Sequence, residues 1–281
     1  MQQSYAASSG KGEQRFGAGV SSPPFHDLWS EVTWSSPGLL GKKMDGAAGL
    51  PASGSVDHAA AMLIPYRVNT LTCRSPWANL TLLILNVLAF VLLVAGMIPD
   101  AVIARMVLVD WSPTGLLGSE FLHIGWMHLI GNMLFLWVFG NALNGVMHDT
   151  DFVLSYLSCG VLAGALHLIL DGSPAVGASG AISGLLGMYL AIYPKNEITC
   201  FYWFFGFGSF ELKGYLLIIG WFIWDVIFAV RGSANIASWA HVGGMLAGFA
   251  AGILLLKLQR IHLGDYDNPT FLDLLPTRKE E

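Results

Sequence analysis

Six apolar runs of membrane-spanning length, at about residues 79 to 98, 124 to 144, 152 to 170, 179 to 193, 212 to 230 and 237 to 257, constrain this chain more than any other feature. Crossing ~30 Å of hydrocarbon takes about 20 residues of helix. The chain is therefore expected to be an all-α membrane protein, a bundle of six transmembrane helices. Composition agrees: 54% of residues are apolar, 12% are charged and mean hydropathy is +0.58. A water-soluble domain of this size could hardly cover so much apolar side chain with polar surface.

Several function classes fall away at once. A formal charge of −5, with the few basic residues scattered, offers no field for nucleic acid. Cys73, Cys159 and Cys200 are odd in number, lack CxxC spacing and have no histidine placed to complete a zinc site, so they read as free thiols. No metal or other cofactor is expected.

Residues 1–62 are rich in Gly, Ser, Ala and Pro without an apolar period, and are expected to form a disordered arm. No charged stretch followed by an apolar core precedes residue 62, so the first span is expected to be its own targeting signal. A membrane domain over 63–258 and a tail over 259–281 complete the organisation. The aromatic, glycine-rich segment 201–210 is too short to span and suits an interfacial loop. With the N-terminus inside, Arg67, Arg74, Lys195, Lys213, Lys257 and Arg260 all fall on the cytoplasmic side, and only Arg105 and Arg231 lie outside. Both termini are then cytoplasmic, and spans two, four and six run from outside to inside.

Those three spans carry the polar residues of interest. His128 and Asn132, four apart, share one face of the second. Polar groups inside a bilayer are costly and turn towards the bundle interior or a water-filled cavity; alone, this pair could equally be helix-to-helix glue. Ser179, within Gly177-Ala178-Ser179-Gly180, opens a fourth span of about 15 residues, or about 22 Å. That is short of the bilayer, so Ser179 is expected at a helix start within the membrane, beneath a loop that dips in from outside. The free N–H groups of that first turn suit a developing oxyanion. A serine between glycines is by itself ordinary packing. His241 lies one turn into the sixth span, at matching depth. Gly180, Gly184 and Gly187 on the fourth span and Gly244 and Gly248 on the sixth make small-residue faces that let two backbones approach closely. Close approach is what a Ser–His hydrogen bond needs, and imidazole can take the serine proton as that oxygen attacks a carbonyl.

The string His123-x4-His128-x3-Asn132, the Gly-Ala-Ser-Gly around Ser179 and the Ala-His-Val-Gly-Gly around His241 together resemble the bacterial-type rhomboid proteases, in that family's order and on its second, fourth and sixth helices. The resemblance covers about residues 63 to 258. It implies a rhomboid-like six-helix bundle with a short fourth helix starting within the bilayer. It also implies intramembrane serine endopeptidase activity from a Ser179/His241 dyad without a third acid. His128 and Asn132 would join the Ser179 N–H in the oxyanion hole, and Gly177 and Gly180 would shape the serine loop. The implied partners are the lipid bilayer and single-span protein substrates that unwind near their outer end, and the implied location is a bacterial inner membrane. The chain departs from the family at Ser183, where many members carry a tyrosine that stacks on the histidine. It also has no Trp-Arg pair in the first outer loop, residues 99 to 122, where Trp111 could instead make the lipid contact.

Three further polar residues carry weaker expectations. His123 is expected to bond structurally at the junction of loop and helix, and His167 to be a structural or snorkelling residue. Asp225, about four residues inside the outer end of the fifth span, must meet water, a partner or the site cavity; an influence on lateral substrate entry is its expected role. Two other readings compete with a protease. A catalytically silent relative that captures membrane clients would not need both Ser179 and His241. A proton-coupled transporter using His128, Asp225 and His241 would be expected to show an inverted repeat, which is not evident.

Overall fold

The computed structural model describes residues 64–202, 207–232, 236–264 and 268–275, so the expected N-terminal arm lies outside the described residues. In chain order the helices are α1 (Trp77–Val94), the short α2 (Asp100–Met106) and α3 (Pro113–Gly118), α4 (Trp126–Asn144), α5 (Asp149–Leu170), α6 (Ser179–Ile192), α7 (Gly214–Arg231) and α8 (Ser238–Lys257). Among the described residues, α1, α4, α5, α7 and α8 are long and apolar enough to cross a membrane, and α6 is a shorter apolar helix. These six correspond, within a few residues at each end, to the six runs read from the sequence. α6 opens at Ser179.

α6 is the axis of the bundle. Every residue from Gly180 to Tyr189 is buried, which accounts for a helix that is apolar or small all the way round. The other spans bury one stripe and turn Leu85, Leu88, Leu154, Leu162, Ile169, Leu246 and Leu254 outward. So continuous an apolar exterior is matched by lipid, not water. α6 and α8 meet backbone to backbone: a Cβ at Gly244 would strike the carbonyl of Gly180, and one at Gly248 the carbonyl of Gly184. From the other side, a Cβ at Gly187 would fall 2.8 Å from the Phe249 nitrogen. Gly184 also faces Cys159 of α5, and at Gly180 a Cβ would stand 2.9 Å from that of Ala163.

Polar side chains inside the bundle bond to one another. Asn79 of α1 donates to the Leu136 carbonyl at 3.0 Å and to Asn141 Oδ1 at 2.8 Å, while its backbone N–H reaches Asn144 Oδ1 at 3.1 Å. Leu136 opens a wide π-type turn, Leu136–Gly140, inside α4, and the inserted amide takes up one of the carbonyls there.

At the Ile192 end of α6 sits a feature the sequence reading lacked, a three-stranded antiparallel sheet of β1 (Ile64–Val68), β2 (Glu197–Tyr202) and β3 (Gly208–Lys213) in that order. Of segment 201–210, expected as an interfacial loop, the described residues supply the end of β2 and the start of β3, with Cys200 opposite Phe210 and Tyr202 opposite Gly208. The physical reason is an alternation of period two: Ser209, Glu211 and Lys213 are exposed while Phe210 and Leu212 turn inward. Beyond α8 the chain returns to this same end. Arg260 pairs with both Asp151 carboxylate oxygens at 3.0 and 2.8 Å, His262 N–H bonds the Val146 carbonyl at 2.7 Å, and Phe271 N–H bonds that of Ala191 at 2.9 Å.

Candidate active site

At the opposite end of the bundle, the loop 171–178 descends to α6 under tight backbone control. Leu108 and Ala175 exchange both backbone hydrogen bonds at 3.0 Å, and Gly177 N–H donates to the Ser119 carbonyl at 2.8 Å. The irregular strand before Ser179 is therefore satisfied by the loop between α1 and α4, as backbone at membrane depth must be. That loop is itself built of α2, α3 and the 3₁₀ turn Ser119–Phe121; Ser112 caps α3 by accepting from Gly115 N–H at 3.1 Å. Trp111 on this loop is exposed. His167, fully buried, bonds the Ser173 carbonyl at 2.8 Å through Nε2 and so ties the serine loop down from α5; it is structural, and no snorkelling is involved.

Ser179 is the first residue of α6 and His241 the fourth of α8. Ser179 Oγ and His241 Nε2 are 2.9 Å apart, and both side chains are half-buried. The glycine contacts between α6 and α8 hold the two backbones close enough for this bond. His241 Nδ1 lies 3.1 Å from Asp225 Oδ1 on α7. The resemblance implied a dyad with no acid; the geometry adds a carboxylate. Asp225, expected to influence substrate entry, thus faces His241.

Gly177 has φ +129°, a conformation that side-chain-bearing residues rarely adopt, and a Cβ there would lie 2.7 Å from His128 Cε1 and 3.7 Å from Asn132 Nδ2. The serine loop therefore runs directly against the pair on α4, two residues before the nucleophile candidate. Asn132 is buried, and its Nδ2 has no hydrogen-bond partner among the described residues. Asn132 Nδ2 and the His128 ring thus both lie against Gly177, two residues before Ser179, whose own N–H opens the first turn of α6. Chemically, the arrangement holds a hydroxyl beside a base and donors where negative charge would develop. Among the described residues, no cluster of His, Cys, Asp or Glu could hold a metal ion.

His123 sits behind this site, buried, its ring edge-on to His128 at 5.2 Å between centroids. Burial, helped by the neighbouring His128, pushes its pKa down to about 4, so the ring is neutral near pH 7. Glu120 had no place in the sequence reading. It is buried, both carboxyl oxygens lack a hydrogen-bond partner among the described residues, and it presses on Gly160 of α5 beside a cleft also lined by Ser119, Gly177 and Ser179. Burial pushes its pKa up to about 9, so Glu120 is a neutral acid at pH 7. The Asp225 contact had one sequence signal, a lone carboxyl within an apolar span. Glu120 had none, because a carboxylate in a loop between helices reads as solvated.

Comparison with known proteins bears on the same stretch of chain. The family model for the Rhomboid domain matches residues 110–258. Rhomboid protease GluP of Bacillus subtilis is 33% identical over 138 residues, 48% of this chain and 24% of that protein. Rhomboid protein 1, mitochondrial, of Saccharomyces cerevisiae is 31% identical over 156 residues, 52% of this chain and 43% of the relative. RHOMBOID-like protein 2 of Arabidopsis thaliana is 35% identical over 142 residues, 50% of this chain and 42% of the relative. The matched stretch covers less than half the length of each of these three relatives.

Proposed function

The chain belongs to the rhomboid family and is an integral multi-pass membrane protein, and on that premise we propose that it is an intramembrane serine endopeptidase acting on transmembrane protein substrates. The observation that carries this reading is the 2.9 Å contact between Ser179 Oγ and His241 Nε2. Ser179 Oγ attacks the scissile carbonyl as His241 Nε2 takes its proton. The tetrahedral oxyanion is received by the Ser179 N–H, Asn132 Nδ2 and the His128 ring. His241 returns the proton to the leaving amine, and water then repeats the cycle on the acyl-enzyme. A substrate must open its helix locally near the Ser179 end, because a continuous helix hides its carbonyls in hydrogen bonds.

Charge supports an orientation for this chemistry. Arg67 and Lys213 ride on the sheet and Lys195 stands just before β2, at the Ile192 end, whereas Arg105 lies on α2, in the loop that pairs with the serine loop through Leu108. Positive charge favours the cytoplasmic side, so cleavage lies towards the opposite face and both termini are cytoplasmic, as in a bacterial inner membrane. The test is cleavage of a transmembrane substrate in liposomes by wild type, Ser179→Ala and His241→Ala, with fluorophosphonate labelling alongside. Wild type should cut and label, and both variants should lose at least ~10³-fold in kcat. Equal cutting by Ser179→Ala would overturn the nucleophile. A wild type that binds substrates but neither cuts nor labels would mark a silent client-binding relative.

A further inference from the structure

We propose that Asp225 is the positioning residue of His241, so that the proton relay is a three-membered Ser179–His241–Asp225 chain assembled from three helices. The inference rests on the serine protease reading of the same site.

Both ring nitrogens of His241 are engaged, Nε2 by Ser179 Oγ at 2.9 Å and Nδ1 by Asp225 Oδ1 at 3.1 Å. An ionised carboxylate can only accept, so Nδ1 must carry the hydrogen, and Nε2 is left with the lone pair that faces the serine hydroxyl. Asp225 thereby selects the one neutral tautomer able to act as base, and it stabilises the imidazolium formed during attack. Among the described residues no other side chain is hydrogen-bonded to the His241 ring. Among the described residues no ring-to-ring pair involves His241, and Ser183, one turn beyond Ser179, is a small buried residue without a ring to stack. Asp225, for its part, has no other ion-pair partner among the described residues. A carboxyl within a span is costly unless it is paired or wetted, and at 17% side-chain exposure its paired group is the imidazole.

The carboxylate also rides on the least embedded long span. α7 buries 22% of its apolar window, against 33–44% for the other four. A relay completed from such a helix is intact only while α7 is docked on α8.

The experiment compares wild type, Ser179→Ala, Asp225→Asn, Asp225→Ala and Asp225→Glu in liposomes, reading kcat and KM separately, the pH profile of kcat/KM and the rate of fluorophosphonate labelling. Asp225→Asn and Asp225→Ala should lower kcat by ~10²-fold with KM changed less than about twofold, because the interaction acts in the transition state. Asn should be no better than Ala, since its amide N–H₂ can turn towards Nδ1 and favour the wrong tautomer. Asp225→Glu should recover part of the loss. The titratable groups facing His241 are Asp225 from α7 and His128 from α4. Removing the carboxylate disfavours the imidazolium, so the acid limb of the profile should move to lower pH. A purely structural role for Asp225 would leave that limb in place. Labelling is normalised to folded protein, so poor folding cannot mimic the effect. Wild-type kcat in Asp225→Ala, a loss confined to KM, or an unmoved acid limb would each overturn the proposal while Ser179→Ala stays inactive. Activity retained by Ser179→Ala would instead overturn the protease reading beneath it.

Discussion

α8 is held in two different ways on its two sides. Towards α6 it lies backbone on backbone, with Gly244 and Gly248 against the carbonyls of Gly180 and Gly184. Towards α7 the link at the site is a single contact between the ends of two side chains, His241 and Asp225. The first arrangement has almost no adjustable part, because glycine leaves only main chain to move; the second can part by a change of rotamer or a small tilt of α7. Under the protease reading, the distance that matters most for proton transfer, Ser179 to His241, is set on the rigid side. Asp225, the group proposed to position the histidine, is set on the yielding side.

The rigid side should break most completely. In Gly248→Val the added side chain has nowhere to go but into the Gly184 carbonyl, so α8 must move off α6. Since displacement of ~1 Å at a catalytic group can cost ~10²-fold, cleavage should fall by at least that much and the melting temperature in detergent should drop. Ile223→Ala on the outward face of α7, where the side chain is 53% exposed, should change both by little. Equal effects from the two substitutions would erase the contrast between the rigid and the yielding side of α8.

The donors on α4 test the same rigid frame from a third helix. Asn132→Ala removes a buried amide pressed on the serine loop. If Asn132 receives the oxyanion as proposed, the loss should be ~10²-fold in kcat with little change in KM, because such a bond is made to charge that exists only in the transition state. A KM effect alone would make Asn132 a substrate-binding residue.

The smallest effect is on stability. Glu120 is held neutral, with its pKa raised from its ordinary value of 4.5 to about 9. The folded state therefore keeps a proton that the unfolded state gives up above pH 4.5, and stability attached to this group is lost as pH rises from there towards 9. Glu120→Gln removes the titration. Melting curves in detergent should show the variant gaining on wild type by several degrees between pH 5 and pH 9, and a constant difference across that range would remove the neutral-acid assignment.

What could be read from the chain was what depends on one segment at a time. Each span announces itself through its own run of apolar residues, and Ser179, His241, His128 and Asn132 stood out because polar groups are conspicuous in such runs. The small faces of Gly180, Gly184 and Gly187 even pointed to the helix pair that meets closely. The sheet escaped because its strands are six residues or fewer, and the aromatic content of 201–210 suits a headgroup-level loop as well as a strand. Asp225 was noticed as a carboxyl in a costly place, but which of five other helices it faces depends on helix rotation and packing, quantities a periodicity does not contain. Glu120 escaped for a related reason: only the fold brings α5 down on that loop at Gly160.

The shortness of α6 works as a ruler. Its 14 residues raise Ser179 about 21 Å above the Ile192 end, where the sheet and the returning tail are fastened. The height of Ser179 is then counted from one fixed floor and is indifferent to how thick the surrounding bilayer happens to be. A substrate helix adjusts its tilt and depth to the local hydrocarbon thickness, whereas the hydroxyl keeps its altitude. Under the protease reading, membrane thickness becomes part of the choice of scissile bond: the same substrate would offer a different rung of its ladder to Ser179 in a thinner bilayer than in a thicker one.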